Sequence, residues 1–322
     1  MNIKTLISGL IRFFISLTLM AAILYIMRDS LPGMVDTLKH TSPYLFILSM
    51  LIFIISIAIA SFRLRILLEI QGIRMTTMDV FRVNLIGYFF SSFLPTSVGG
   101  DVVKAFYISK ESKKNMQAYT SVFLDRFLGM FTIFLIAMAA IFLVQDTSGL
   151  NLIWFLPVFV ALSLIFIAVL YNKTLAKKFL PIISFVIPSK FQQEMRNVYN
   201  AMHGYKHHGK AMAVCFALSI IGQVVGFSAI YFLASGIKSY IPMTLTLLVM
   251  PVAAIVGMLP SINGIGPREM SIVIMLRQFT GASAAGAIAF LWLGALLLTS
   301  LLGGIVYMFM GHYKINIANL SE

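Results

Sequence analysis

The side chains in this sequence most able to do chemistry are charges embedded in apolar runs. Asp125 and Arg126 stand side by side in a long apolar run over 117–144. A charge at bilayer depth costs at least about 2.5–3.5 kcal/mol on insertion scales, so it is paired or serves a pathway. Neighbours on a helix point about 100° apart, so each needs its own partner. The candidates are Lys104 or Arg268 for Asp125, and Glu269 or a lipid phosphate for Arg126. A structural interhelical pair is the competing account.

Two further charged groups follow breaks in apolar runs. Pro95 and Gly99-Gly100 precede Asp101 and Lys104; Pro260, Gly264, Gly266 and Pro267 precede Arg268 and Glu269. Glycines let the chain reverse, and Pro267 suits the first position of a helix. Ser97 and Asn263 are candidate caps. Each break thus predicts a helix N-terminus within the membrane, whose free N–H groups and positive dipole end suit an anion such as phosphate. Lys104 and Arg268 add full charges there. Asp101 and Glu269 have two readings: carboxylates favoured by the helix dipole by roughly 0.3–1 kcal/mol, or groups that couple to a proton or cation. Arg63 and Arg65 close the second apolar run, either as anchors or as headgroup contacts. His203, His207 and His208 lack the partners of a metal site, and the lone Cys215 excludes an intramolecular disulfide. No metal or cofactor is expected.

The elements that must hold these residues are helices in a bilayer. Of the 322 residues 60% are hydrophobic and only 11% charged, with a mean hydropathy of +0.95; soluble domains carry about a quarter charged residues. Several continuous apolar runs reach the roughly 20 residues that span the hydrocarbon core, which excludes the alternating pattern of a barrel. Spans are expected at 7–27 (read as retained rather than cleaved), 43–61, 117–144, 152–171, 211–235 and 282–310. The broken segments cover 83–115 and 243–279. Residues 172–210 form a basic, cytoplasmic, amphipathic segment. The net charge of +13 is attributed to positive-inside bias and anionic lipid, not to nucleic acid. If both broken segments return to the side they entered, most Lys and Arg fall on the cytoplasmic side, with both termini there. The alternative is that 243–259 crosses fully.

The breaks repeat. Leu94-Pro95-Thr96-Ser97-Val98-Gly99 matches Leu259-Pro260-Ser261-Ile262-Asn263-Gly264 at an offset of 165 residues, and the same offset carries the flanking spans onto each other approximately. The expectation is a single integral membrane domain, all-α and polytopic. It has about six full spans and two re-entrant segments, in half-repeats 1–150 and 151–322. Three crossings per half make the second half inverted, and paired broken segments in inverted halves point to a transporter's binding site.

Arg63-x-Arg65, Asn84 with Gly87, Pro95-x-x-x-Gly99-Gly100-Asp101, Asp125-Arg126-x-x-Gly129 and Pro260-x-x-x-Gly264-x-Gly266-x-Arg268-Glu269 occur in that order. Together they resemble the flippase-like membrane domain of lysylphosphatidylglycerol synthases, over about residues 5–312. The resemblance implies a bacterial or archaeal inner (cytoplasmic) membrane, lipid translocation between leaflets, and a place for Asn84 in the site. It also implies a membrane lipid as partner: an anionic or aminoacylated phospholipid, or a polyprenyl-phosphate lipid. A homo-oligomer or a separate lipid-modifying enzyme are the protein partners in view. The aminoacyl-transferase domain of bifunctional members is not expected, so no enzymatic activity is. Energy would come from an ion gradient or from lipid concentration alone. A secondary transporter of a small anion shares this architecture. A membrane-embedded glycosyl- or phosphotransferase is disfavoured by short external loops poor in acids.

Overall fold

A computed structural model describes residues 28–93, 99–143, 204–259 and 263–309, together with Ser261 and a few positions between 17 and 25. The expected spans at 7–27 (in the main) and 152–171, the segment 172–203, Pro95, Pro260 and the C-terminus lie outside the described residues. Every regular element among those described is helical. They are α1 (Leu31–Lys39), α2 (Pro43–Ile70), α3 (Thr77–Phe93), α4 (Gly99–Ser112), α5 (Asn115–Leu143), α6 (Gly209–Gly236), α7 (Met243–Val256), α8 (Pro267–Thr280) and α9 (Ala282–Phe309). Four of them, α2, α5, α6 and α9, are long and apolar enough to cross a membrane. At 1.5 Å per residue a helix of 28 residues (α2, α6, α9) exceeds the ~30 Å hydrocarbon core. Their outer faces carry large apolar side chains, among them Ile47, Leu51 and Ile55 on α2 and Leu301, Ile305 and Met308 on α9. Such stripes are at home against lipid and a liability in water.

Local chemistry sets the ends. Pro43 opens α2. At its far end Gly72 bonds back to Glu69 and Ile73 to Leu68, closing the helix in a Schellman turn. Thr76 then caps α3, its Oγ1 accepting the Asp79 N–H at 3.1 Å. Pro251 sits inside α7, where its ring removes one backbone bond.

The second group of four helices repeats the first. Pro43 and Gly209, Thr77 and Met243, Gly99 and Pro267, and Asn115 and Ala282 open equivalent helices at a spacing of 166 to 168 residues. Packing repeats with them: α3 lies on α9 as α7 lies on α5, and α4 lies on α5 as α8 lies on α9. The axis of this exchange is the α2–α6 pair, the most extensive helix contact among the described residues. Leu45 meets Gly236, Ser56 meets Gly226, Ile59 meets Gly222, and Arg63 meets Ser219. Ascending α2 therefore means descending α6, so equivalent helices run antiparallel. Gly222 and Gly226 let the two helices approach closely: a Cβ at Gly226 would stand 3.0 Å from the Ser56 hydroxyl.

Both broken pairs are hairpins within the bundle. The start of α3 and the end of α4 lie at one end, where the Lys114 ammonium donates to the Gly72 carbonyl at 3.0 Å. The start of α7 and the end of α8 lie at the other end, beside the contacts of Ser42 with Gly236 and of Ser283 with Ser30. The segment 243–280 therefore returns to the end of the bundle it left, and α7, at 14 residues, is too short to cross. The register of the repeat differs from the six-residue match. Five residues separate α3 from α4, whereas ten separate α7 from α8. Asp101 and Glu269 are thus equivalent, each the third residue of its helix, where the sequence match had set Asp101 against Gly266.

Candidate functional site

The last turn of α3 and the turn before α8 meet at mid-bundle, where the Asn263 amide donates to the Ser92 hydroxyl at 3.2 Å. Around them lie two adjoining cavities of about 280 and 320 Å³, which share Phe53, Tyr88, Asp101, Lys104, Arg126, Phe227, Met258 and Trp292 as lining. Arg63, Asn84 and Asp125 line the first; Asn263 and Arg268 line the second.

The charges fall into three groups, two of them bridging helices and one within α8. Arg63, in the second half of α2, donates through Nε to Asp125 Oδ1 on α5 at 2.7 Å and through a terminal nitrogen to Ser219 Oγ on α6, also at 2.7 Å. With 8% and 13% of their side chains exposed, Arg63 and Asp125 form a nearly dry pair, and a buried charge without such a partner is strongly destabilising. Gly129, one turn beyond Asp125, leaves the guanidinium room. Asn84 is buried and donates to the Ser61 hydroxyl at 2.7 Å, which in turn donates to the Ile57 carbonyl.

Asp101, in the first turn of α4, takes two cations. Lys104 Nζ lies 3.1 Å from Oδ1, and Arg126, reaching from α5, donates to Oδ2. The Lys104 ammonium also sits 5.4 Å from the centre of the Tyr88 ring. Its stem fills the space beside Gly87, where a Cβ would fall 2.3 Å from Lys104 Cε. Arg126 has the most exposed side chain of the cavity's cations, at 31%.

At the other tip, Gly264 and Gly266 adopt φ values of +76° and +99°, a region closed to most side chains. They turn the chain into Pro267, the first residue of α8. The Glu269 carboxylate reaches back to accept the Gly266 N–H at 2.8 Å and holds Arg268 at 2.7 Å, and Arg268 also donates to the Asn263 carbonyl at 3.2 Å. Glu269 is 1% exposed. Its place is that of a capping carboxylate, so the N-terminus of α8 carries its own anion rather than standing open for a ligand.

Several sequence expectations change accordingly. Asp125 pairs with Arg63, not with Lys104 or Arg268, and Arg126 pairs with Asp101, not with Glu269. Arg63 is a buried strut rather than an interfacial anchor. Arg65 stays outside the site, bonded to Glu69 and Thr77. Gly99 and Gly100 are buried in helix packing and do not line the cavities; a Cβ at Gly100 would stand 2.2 Å from the Gly87 carbonyl oxygen. Sequence reasoning missed Tyr88, Ser219, Gln223 and the aromatic wall of Phe53, Phe227 and Trp292. Gln223, a lone amide in an apolar run, was the available signal; the aromatics offered none. Among the described residues no His/Cys/Asp/Glu group fit for a metal is present.

Comparison with known proteins agrees with this architecture. Among curated proteins and solved structures no significant match was found. The family described as "Lysylphosphatidylglycerol synthase TM region" matches residues 9–304, nearly the whole chain. With four helices apolar enough to cross a bilayer, the chain is a multi-pass membrane protein and belongs to the lysylphosphatidylglycerol synthase transmembrane-region family.

Proposed function

We propose that this protein moves a phosphate-bearing lipid headgroup between the leaflets of the cytoplasmic membrane, without covalent change to the lipid. The observation that carries this reading is the cluster of Lys104 and Arg126 on the single carboxylate of Asp101, at the wall of a cavity between antiparallel halves. A phosphate recruited there gains charge-assisted hydrogen bonds in a low-dielectric setting. The apolar wall of Phe53, Phe227 and Trp292 suits the glycerol and upper acyl region. Membership of a family named for lipid synthesis supports the choice of lipid over a soluble anion. On this reading the two hairpins re-enter the bilayer from opposite faces, and rocking of one half against the other exposes the cavity to each leaflet in turn.

The test is reconstitution into liposomes with a fluorescent phospholipid and a membrane-impermeant quencher. Wild-type protein is expected to bring inner-leaflet lipid into reach of the quencher. Arg126→Gln, which removes the exposed cation, is expected to slow this at least about ten-fold. Equal rates for the two proteins, or no rate above empty liposomes, would defeat the proposal.

A further inference from the structure

We infer that the cavity selects headgroups of net negative charge that carry no ammonium, and discriminates against zwitterionic and aminoacylated ones. The inference rests on the reading of the site as a lipid headgroup site and adds the class of headgroup. Among the described residues four cations belong to the cavity, Arg63, Lys104, Arg126 and Arg268, against three carboxylates, Asp101, Asp125 and Glu269. The excess of one positive charge is localised. Arg63 is closed by Asp125 and Arg268 by Glu269, so the uncompensated charge lies where Lys104 and Arg126 share Asp101.

A phosphodiester brought there neutralises the cluster. An ammonium on the same headgroup restores the excess and finds no free anion among the described residues, because Asp101 and Asp125, the carboxylates that line the cavities, are both taken. Part of the aromatic lining is already engaged. Lys104 already stands 5.4 Å from the centre of the Tyr88 ring, and Phe53 packs edge-to-face on Trp292 at 5.2 Å. Repulsion of the wrong charge at a buried site is a recognised source of specificity.

The chain provides its own reporter. Of its two tryptophans, Trp292 lines both cavities, so Trp154→Phe leaves a single probe at the site. The detergent-solubilised variant is titrated with dihexanoyl phosphatidylglycerol, dihexanoyl phosphatidylcholine, the lysyl ester of the former, and inorganic phosphate. The expected order has phosphatidylglycerol binding at least about ten-fold more tightly than phosphatidylcholine, with the lysyl ester weakest. Adding Lys104→Met keeps the stem beside Gly87 but leaves the cavity balanced, and is expected to bring phosphatidylglycerol and phosphatidylcholine within about three-fold of each other. The inference is overturned if phosphatidylcholine or the lysyl ester binds as tightly as phosphatidylglycerol, if none of the lipids perturbs Trp292, or if Lys104→Met keeps the full preference. Inorganic phosphate binding as tightly as phosphatidylglycerol would overturn the lipid part of it. Charge-selective binding without translocation in liposomes would instead reject the transport reading and leave the headgroup preference standing.

Discussion

Arg63 and Arg65 lie two residues apart on α2 and have opposite fates. Arg63 points into the bundle, where Asp125 and Ser219 complete its hydrogen bonding. Arg65 points outward to Glu69, with 36% and 43% of the two side chains exposed. The energetic consequences differ in kind. Removing one member of a buried pair strands the other, at a cost of about 3–5 kcal/mol, whereas an exposed pair is worth at most about 1 kcal/mol. Arg63→Met is therefore expected to lower thermal stability in detergent sharply, and Arg63→Met with Asp125→Leu to recover most of the loss. Arg65→Gln is expected to change little. A double variant as unstable as Arg63→Met alone would show that the pair does more than neutralise itself. At this scale the sequence marks which residues are charged in apolar surroundings. It does not reveal partners, because pairing depends on helix rotation and depth. For that reason the sequence points Asp125 to Lys104 or Arg268 instead of to a residue on α2.

At the scale of elements, glycines decide how closely helices approach. On α9 a Cβ at Gly303 would stand 2.0 Å from the Leu85 carbonyl oxygen of α3, a backbone atom that cannot step aside, while a Cβ at Gly294 meets nothing within 4 Å. Gly303→Ala is expected to destabilise by about 1–3 kcal/mol through overpacking. Gly294→Ala should be neutral or stabilising by up to about 1 kcal/mol. Thermal unfolding followed by loss of monodispersity separates them, and equal behaviour would refute the α3–α9 contact. The breaks after α3 and α7 were legible from Pro95 and Pro260, each of which disfavours helix in the residue before it. Their exact register was not: the second tip is five residues longer than the first, and a short identity match slides across such a difference. The Glu269 cap is likewise written in the sequence as a glutamate two residues after Pro267, but reads equally well as a functional carboxylate until its bond to Gly266 is seen.

At the scale of the whole molecule, the inverted relation of the halves follows from counting crossings, and the antiparallel contact of α2 with α6 is its structural expression. The approach of α3 to the turn before α8 follows in turn, because inversion brings a hairpin from each end of the bundle to the middle. That convergence was legible in outline. The cavity's aromatic wall was not, since Phe and Trp in an apolar span carry no periodic mark of the face they occupy. The choice of lipid comes from family membership and from the charge of the site together.

The proposed route through this cavity is tested most directly by plugging it. Met258, which lines both cavities, is replaced by cysteine in a Cys215→Ala background, and the protein is treated with a bulky methanethiosulfonate before reconstitution. Tyr240→Cys, exposed between α6 and α7, serves as the control. The account predicts that modification at position 258 lowers lipid translocation at least about ten-fold, while modification at position 240 leaves it unchanged. Translocation at the unmodified rate with position 258 fully labelled would contradict it.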